Sequence, residues 1–141
     1  MIVFFDTSVL VRCYVAEAGT PEALTLWSQA HTRVGSALHA AEMLAVFAPK
    51  RREHASDAPA IDSQQAAFLT HWQGMDRVNL TPALLPTLTR LHAAYGLRGA
   101  DSLHLAAALV YQHHASEPIT FACADVALVA AAKREGLVVG P

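Results

Sequence analysis

Asp6, Glu42, Asp101 and Asp125 stand where the chain is otherwise apolar. Asp6 follows Met-Ile-Val-Phe-Phe, and Glu42 lies within Leu38-His-Ala-Ala-Glu-Met-Leu-Ala-Val-Phe. Asp101 precedes Ser-Leu-His-Leu-Ala-Ala-Ala, and Asp125 follows Ile119-Thr-Phe-Ala-Cys-Ala. A buried carboxylate without a partner costs several kcal/mol even after relaxation. Four of them would offset a domain's whole stability of ~5–15 kcal/mol. Either water reaches these acids or something positive meets them. Lys50 and Lys133 are the only lysines, so candidate protein cations are few. Clustered oxygen ligands short of basic partners point to a divalent metal, most naturally Mg²⁺ or Mn²⁺.

Each acid also has a plainer reading. Asp6, Asp101 and Asp125 sit at or just before expected helix starts, where a capping carboxylate stabilises free N–H groups by roughly 0.5–2 kcal/mol. The two roles are compatible, because one oxygen can cap while the other faces a metal. Glu42 reads as a mid-helix residue, and its plainer role is an exposed edge position. Four independent caps need not converge, whereas two acids at strand ends and two on helices can.

Other residues could support such a group. His104 follows Asp101 by three on the same helix face, Ser8 follows Asp6 by two, and Arg98 could meet a phosphate. A packed histidine, a first-turn serine and a surface arginine are the corresponding ordinary roles. His113-His114 suits a helix C-terminus. Without His-Glu-x-x-His or a Cys-x-x-Cys pair, zinc is not expected. Gly96 and Gly99 are too few for a phosphate loop. Lys50, Arg51 and Arg52 read as a solvated helix end.

The elements that must position these residues alternate between short apolar runs and helical stretches. Met1–Phe5, Thr32–Gly35, Asp76–Leu80, Ile119–Ala122 and Leu137–Val139 are expected strands. Helices are expected from Thr7 to about Glu17, from Thr20-Pro21-Glu22 to about Ala30, and after Ser36 as the cap of a long helix carrying Glu42. A capping-box pattern at Asp62-Ser63-Gln64-Gln65 opens another, with Leu69, Trp72 and Met75 as its apolar stripe. Thr81-Pro82 starts a helix to about Tyr95, Asp101–His113 forms an interior one, and Val126–Glu135 is stopped by Gly136. The alternation predicts an α/β fold, a central parallel sheet with helices on both faces, as one domain over residues 1–141. Ligands bind such sheets beyond the carboxyl ends of the strands. Asp6 and Asp125 each follow an expected strand directly.

Composition sets outer limits. With 141 residues, 53% hydrophobic and 16% charged, the chain can bury a proper core and is not disordered or coiled-coil. A net charge of −2 supplies no global attraction to nucleic acid, although bound divalent ions reverse the sign of an acidic site locally. Cys13 and Cys123 are too far apart in sequence to suggest a metal pair and fit a reducing cytosol. No basic leader or run of ~20 apolar residues is present, so a cytoplasmic protein without a membrane partner is expected.

At this point the residues resemble a family. Asp6-Thr7-Ser8-Val9-Leu10-Val11, Ser36 followed by Glu42, Leu97-Arg98-Gly99-Ala100-Asp101-Ser102-Leu103-His104-Leu105-Ala106, and Phe121 through Asp125 with Ala131-Ala132 and Gly136-Leu137 are similar to PIN domains. The likeness runs the length of the chain, and its compactness most resembles VapC-type toxins. One departure is Cys123, where the family often has Thr or Ser two residues before its last acid. The resemblance implies a Mg²⁺- or Mn²⁺-dependent endoribonuclease, with Asp6 and Asp101 as principal ligands and Glu42 and Asp125 completing the site. It also implies a homodimer and a small antitoxin partner that directs a basic side chain toward the acids. A competing expectation is a degenerate PIN-like module that acts only by binding proteins, favoured by Cys123. Phosphotransfer through an aspartyl phosphate would need a second acid close to Asp6 and a lysine near the later strand ends, and neither is there.

Overall fold

A computed structural model describes residues 1–53 and 55–140. Its centre is a five-stranded, all-parallel sheet in the order β3-β2-β1-β4-β5. The strands are β1 (Ile2–Phe5), β2 (Thr32–Ser36), β3 (Asp76–Val78), β4 (Ile119–Ala122) and β5 (Val138–Gly140). The helices are α1 (Thr7–Leu10), α2 (Thr20–Gln29), α3 (His39–Glu53), α4 (Ala58–Gln73), α5 (Leu85–Tyr95), α6 (Gly99–His114) and α7 (Val126–Arg134). The parallel α/β architecture expected from the alternation is the one found. Among the described residues, no helix is long and apolar enough to cross a membrane.

β1 explains why the sheet is covered on both faces. Every residue of Ile2–Phe5 is buried, and successive side chains of a strand point to opposite sides. Ile2 and Phe4 join Val34, Leu91, Leu105 and Phe121 in one apolar cluster. Val3 and Phe5 join Val9, Leu10, Met43, Phe47 and Phe68 in the other. A near-continuous hydrophobic run is what a central parallel strand requires. α6 contributes Leu105 through Ala108 to the first cluster, in keeping with its expected interior position.

Several boundaries differ from expectation, each for a physical reason. α1 ends at Leu10 and passes into a 3₁₀ turn at Val11–Cys13, well short of Glu17. α4 begins at Ala58 with Pro59 in its first turn, so the Asp62–Gln65 pattern lies inside the helix. Asp62 there accepts from Arg51 Nε at 2.7 Å, tying α4 to the basic end of α3. The buried stripe of α4 is Ile61 and Phe68, while Leu69 is exposed. Ser36 is the last residue of β2 and α3 starts at His39, so Glu42 sits in the first turn rather than mid-helix.

The strand order reverses between β1 and β4. In open α/β sheets the crevice beyond the carboxyl ends at such a point is the usual ligand position. Asp6 N–H donates to Ala122 O at 2.8 Å, closing the ladder just before both chains leave the sheet there.

Candidate functional site

Asp6 leaves β1 as the N-cap residue of α1 and is 5% exposed. Its Oδ2 accepts from Ser8 N at 2.9 Å and from Ser8 Oγ at 2.5 Å. Across the reversal point, Asp125 caps α7, its Oδ1 accepting from Leu128 N at 2.8 Å. Ser8 Oγ also accepts from Ala124 N at 3.0 Å, which joins the two strand ends. The capping readings of Asp6 and Asp125 therefore hold, but each cap uses one carboxylate oxygen. The other oxygen of each takes no hydrogen bond among the described residues.

Asp101 does not cap. Arg98 is the residue before α6, and Asp101 lies half-buried in its first turn. Burial pushes its carboxyl above the ordinary 3.8, and the charges of Asp125 and Asp6 push it further, against a smaller opposing pull from Arg98 and His104. Asp101 is thus near enough to Asp125 and Asp6 for their charges to disfavour its own. Arg98 is exposed beside them.

Glu42 is half-buried and fixed by one oxygen as well. Oε2 accepts from Thr7 Oγ1 and faces His104 Nε2 at 2.7 Å. Burial alone would raise this carboxyl, but the hydrogen bonds from His104 and Thr7 outweigh it and hold it below the ordinary 4.5. Of the residues singled out from sequence, Asp6 and Asp125 lie at the joined ends of β1 and β4, in a neighbourhood whose charge reaches Asp101. Glu42 and His104 join it through Thr7, the neighbour of Asp6, and through α6, which carries both Asp101 and His104. Of the four acids only Asp6 is buried, and Asp125 is exposed.

Thr7, Ser36 and His39 are partners that reasoning on the four acids does not single out. His39 is fully buried, its ring centre 4.3 Å from that of His104. Burial, then the charge of His104, pushes it down to about 4, so it is neutral at neutral pH. Its position three residues before Glu42, in an apolar stretch, is the only signal the sequence offers. Cys123 is buried, with Asp125 N–H directed at its Sγ at 3.3 Å and Ser8 Oγ 3.9 Å away. Burial, with the charge of Asp6, pushes this thiol up to about 12, so it stays protonated.

The donors are hard oxygens, which suit Mg²⁺ or Mn²⁺ and not zinc. Among the described residues, no three His, Cys, Asp or Glu side chains stand close enough to enclose a metal ion.

The two shifted acids have opposite consequences for stability. Glu42, depressed, contributes stability that is present above about pH 4.5 and lost as pH falls through its folded value. Asp101, raised, destabilises the metal-free fold as pH climbs through its folded value. Metal-free Asp101→Asn is therefore expected to melt above wild type at pH 7, and Glu42→Gln to lose less stability than wild type on acidification. Melting curves from pH 3 to 7 check both, and equal slopes for all three proteins would contradict the assignment.

The PIN domain family pattern matches residues 3–121, most of the chain. The chain belongs to the PIN domain family. This PIN domain is 31% identical over 108 residues to Ribonuclease VapC45 of Mycobacterium tuberculosis (strain CDC 1551 / Oshkosh), covering 77% of this chain and 75% of that protein. The same figures relate it to Ribonuclease VapC49 of strain H37Rv. In fold it is similar to VapBC2 from Rickettsia felis bound to a promoter DNA fragment, with a TM-score of 0.66 at 16% identity over 99% of this chain and 97% of that one. FitAcB from Neisseria gonorrhoeae gives 0.61 at 18%, over 100% and 97%. A toxin–antitoxin complex from Klebsiella pneumoniae gives 0.60 at 15%, over 87% and 86%. PIN-domain nucleases of the VapC type depend in general on a divalent metal.

Proposed function

We propose that this PIN domain is an endoribonuclease toxin that hydrolyses RNA phosphodiester bonds at the Asp6–Asp101–Asp125 group, with Mg²⁺ or Mn²⁺, and is neutralised by a cognate antitoxin. The observation that carries this reading is the joined carboxyl edge of β1 and β4, where Ser8 Oγ donates to Asp6 Oδ2 and accepts from Ala124 N–H and so holds Asp6 next to the turn that carries Asp125. Its counterpart in sequence is the likeness to two ribonucleases.

Asp6 and Asp101 would be the principal holders, with Asp125 and Glu42 completing the set directly or through water. The metal, when bound, lowers the pKa of an attached water and offsets charge on the scissile phosphate. The chain's own part is orientation. Ser8 fixes Oδ2 of Asp6, Leu128 N–H fixes Oδ1 of Asp125, and Thr7 with His104 fixes Oε2 of Glu42. Each carboxylate is thereby turned with its second oxygen left for the ligand. In-line attack leaves a 5′-phosphate and a 3′-hydroxyl. Cys123 sits inside this frame, with Asp125 N–H directed at its Sγ, and displaces none of the acids; loss of metal binding would be the signature of the binding-module alternative.

A panel of RNAs including tRNA, incubated with Mg²⁺ or Mn²⁺ and with EDTA, tests the reading. Cleavage that needs the metal and leaves 5′-phosphate ends is expected; cleavage indifferent to EDTA would end the metal mechanism. Arg98, exposed next to Asp101, is proposed to meet a substrate phosphate. Arg98→Ala is expected to raise KM by roughly five- to tenfold, the loss of one exposed charge-assisted contact of about 1 kcal/mol. Unchanged rate and affinity would remove Arg98 from the substrate path.

A further inference from the structure

The ring of His104 is 1% exposed in the middle of an alanine- and leucine-rich helix, yet both of its nitrogens are engaged. Nδ1 lies 3.0 Å from Ser36 Oγ, and Nε2 lies 2.7 Å from Glu42 Oε2. Glu42 Oε2 already accepts from Thr7 Oγ1, and a carboxylate oxygen has only lone pairs to offer, so the proton between the two belongs to Nε2. A histidine bonded at both ends cannot flip without breaking one of the bonds.

The surroundings leave it no second position. Ser36 also holds the neighbouring ring, donating its backbone N–H to His39 Nδ1 at 2.8 Å. His39, itself fully buried, closes the flank of His104, and Phe4 packs edge-on against His39 at 5.9 Å. A glutamate side chain gives up as much as ~1.5–2 kcal/mol of rotamer entropy when ordered. Here two donors on different elements order it, Thr7 from α1 and His104 from α6.

We infer that His104 is a positioning residue for Glu42, its ring locked by Ser36 and His39 so that Nε2–H fixes Oε2 and leaves Oε1 for the ligand. The inference rests on the nuclease reading for its catalytic consequence, but its geometric content stands apart from activity. A histidine that merely ties α6 to α3 would support stability alone. A positioning histidine must affect turnover more than substrate binding.

Two measurements separate these. Long-range ¹H–¹⁵N spectra of the metal-free protein are expected to place a proton on His104 Nε2, with a resonance that moves in Glu42→Gln. In cleavage assays His104→Leu is expected to lose roughly 10–100-fold in kcat, as removal of an outer hydrogen-bond partner of a metal site does. KM should change by less than about twofold, the sign of an interaction that matters in the transition state. His104→Gln, whose amide N–H reaches toward the Nε2 position, should recover most of the loss. A proton found on Nδ1 alone, a resonance indifferent to Glu42→Gln, or a glutamine variant no better than leucine overturns the inference. If wild type cuts no RNA, the nuclease reading fails by itself, and the spectra still decide the role of His104.

Discussion

Asp6→Asn is expected to abolish metal-dependent RNA cleavage while leaving the fold intact. The loss should be roughly a hundredfold or more in kcat, the scale at which preorganised charge stabilisation is removed from an active site. Asparagine caps a helix about as well as aspartate, so the bond from Ser8 N–H survives and α1 keeps its start. What goes is one of the charges repelling Asp101. The metal-free variant should therefore melt no lower than wild type. Metal should tell the two apart. At about 100 times its Kd, a ligand that binds only the folded chain stabilises by about 2.7 kcal/mol. For a chain of this length that is a rise of roughly 10 °C in Tm. Wild type should show a rise of this kind with Mn²⁺, and Asp6→Asn should lose most of it. A variant that cuts like wild type would put Asp6 outside the site, a Mn²⁺-induced rise kept in Asp6→Asn would put the metal elsewhere, and a wild type indifferent to Mn²⁺ would mean that the folded chain does not bind it.

Gly35→Ala is expected to damage the same site without touching an acid. Gly35 is buried in β2, and a Cβ there would stand 3.0 Å from His39 Nδ1 and 3.3 Å from Trp72 Cζ3. His39 cannot step aside, because its Nδ1 is bonded to Ser36 and its ring lies against His104. Overpacking of this kind costs about 1–3 kcal/mol, a fall in Tm of roughly 3–10 °C. Pressure on the held His39 ring should be passed to His104 and hence to Glu42, lowering cleavage in the folded fraction. Thermal melts paired with kcat on the soluble variant check this. An unchanged Tm would mean that the half-buried Trp72 indole swings out and makes the room.

The parts of this molecule legible in its sequence are those set by local pattern. Asp6 and Asp125 are visible because each follows a short apolar run and precedes a helix, so their place at the carboxyl edge follows from the alternation alone. The interior character of α6 is equally plain from its alanines and leucines. What is hidden is non-local. Thr7 and Glu42 are 35 residues apart and Glu42 and His104 are 62 apart, and no periodicity announces either pair. Glu42 reads as mid-helix because Ser36 resembles an N-cap, whereas Ser36 Oγ accepts from Leu38 N–H in a turn, faces two buried histidines, and the helix begins three residues later. In α4 the Asp62–Gln65 pattern imitates a helix start, but the helix already runs from Ala58, and its buried residues are Ile61 and Phe68 where the pattern points to Leu69.

The position of β1 at the middle of the sheet governs when this protein can act during its own synthesis. β1 is made first, yet one of its two neighbours in the sheet is β4, with Ile2 registered against Ile119. A ribosome that has produced residues 1–100 has released Asp6 and Glu42 but neither Asp101 nor Asp125, and the open flank of β1 has nothing to pair with. Contacts of such sequence separation form late. A chain that stops before Asp101 therefore carries no assembled acidic group, and the chemistry of the site waits until the greater part of this sequence has been made.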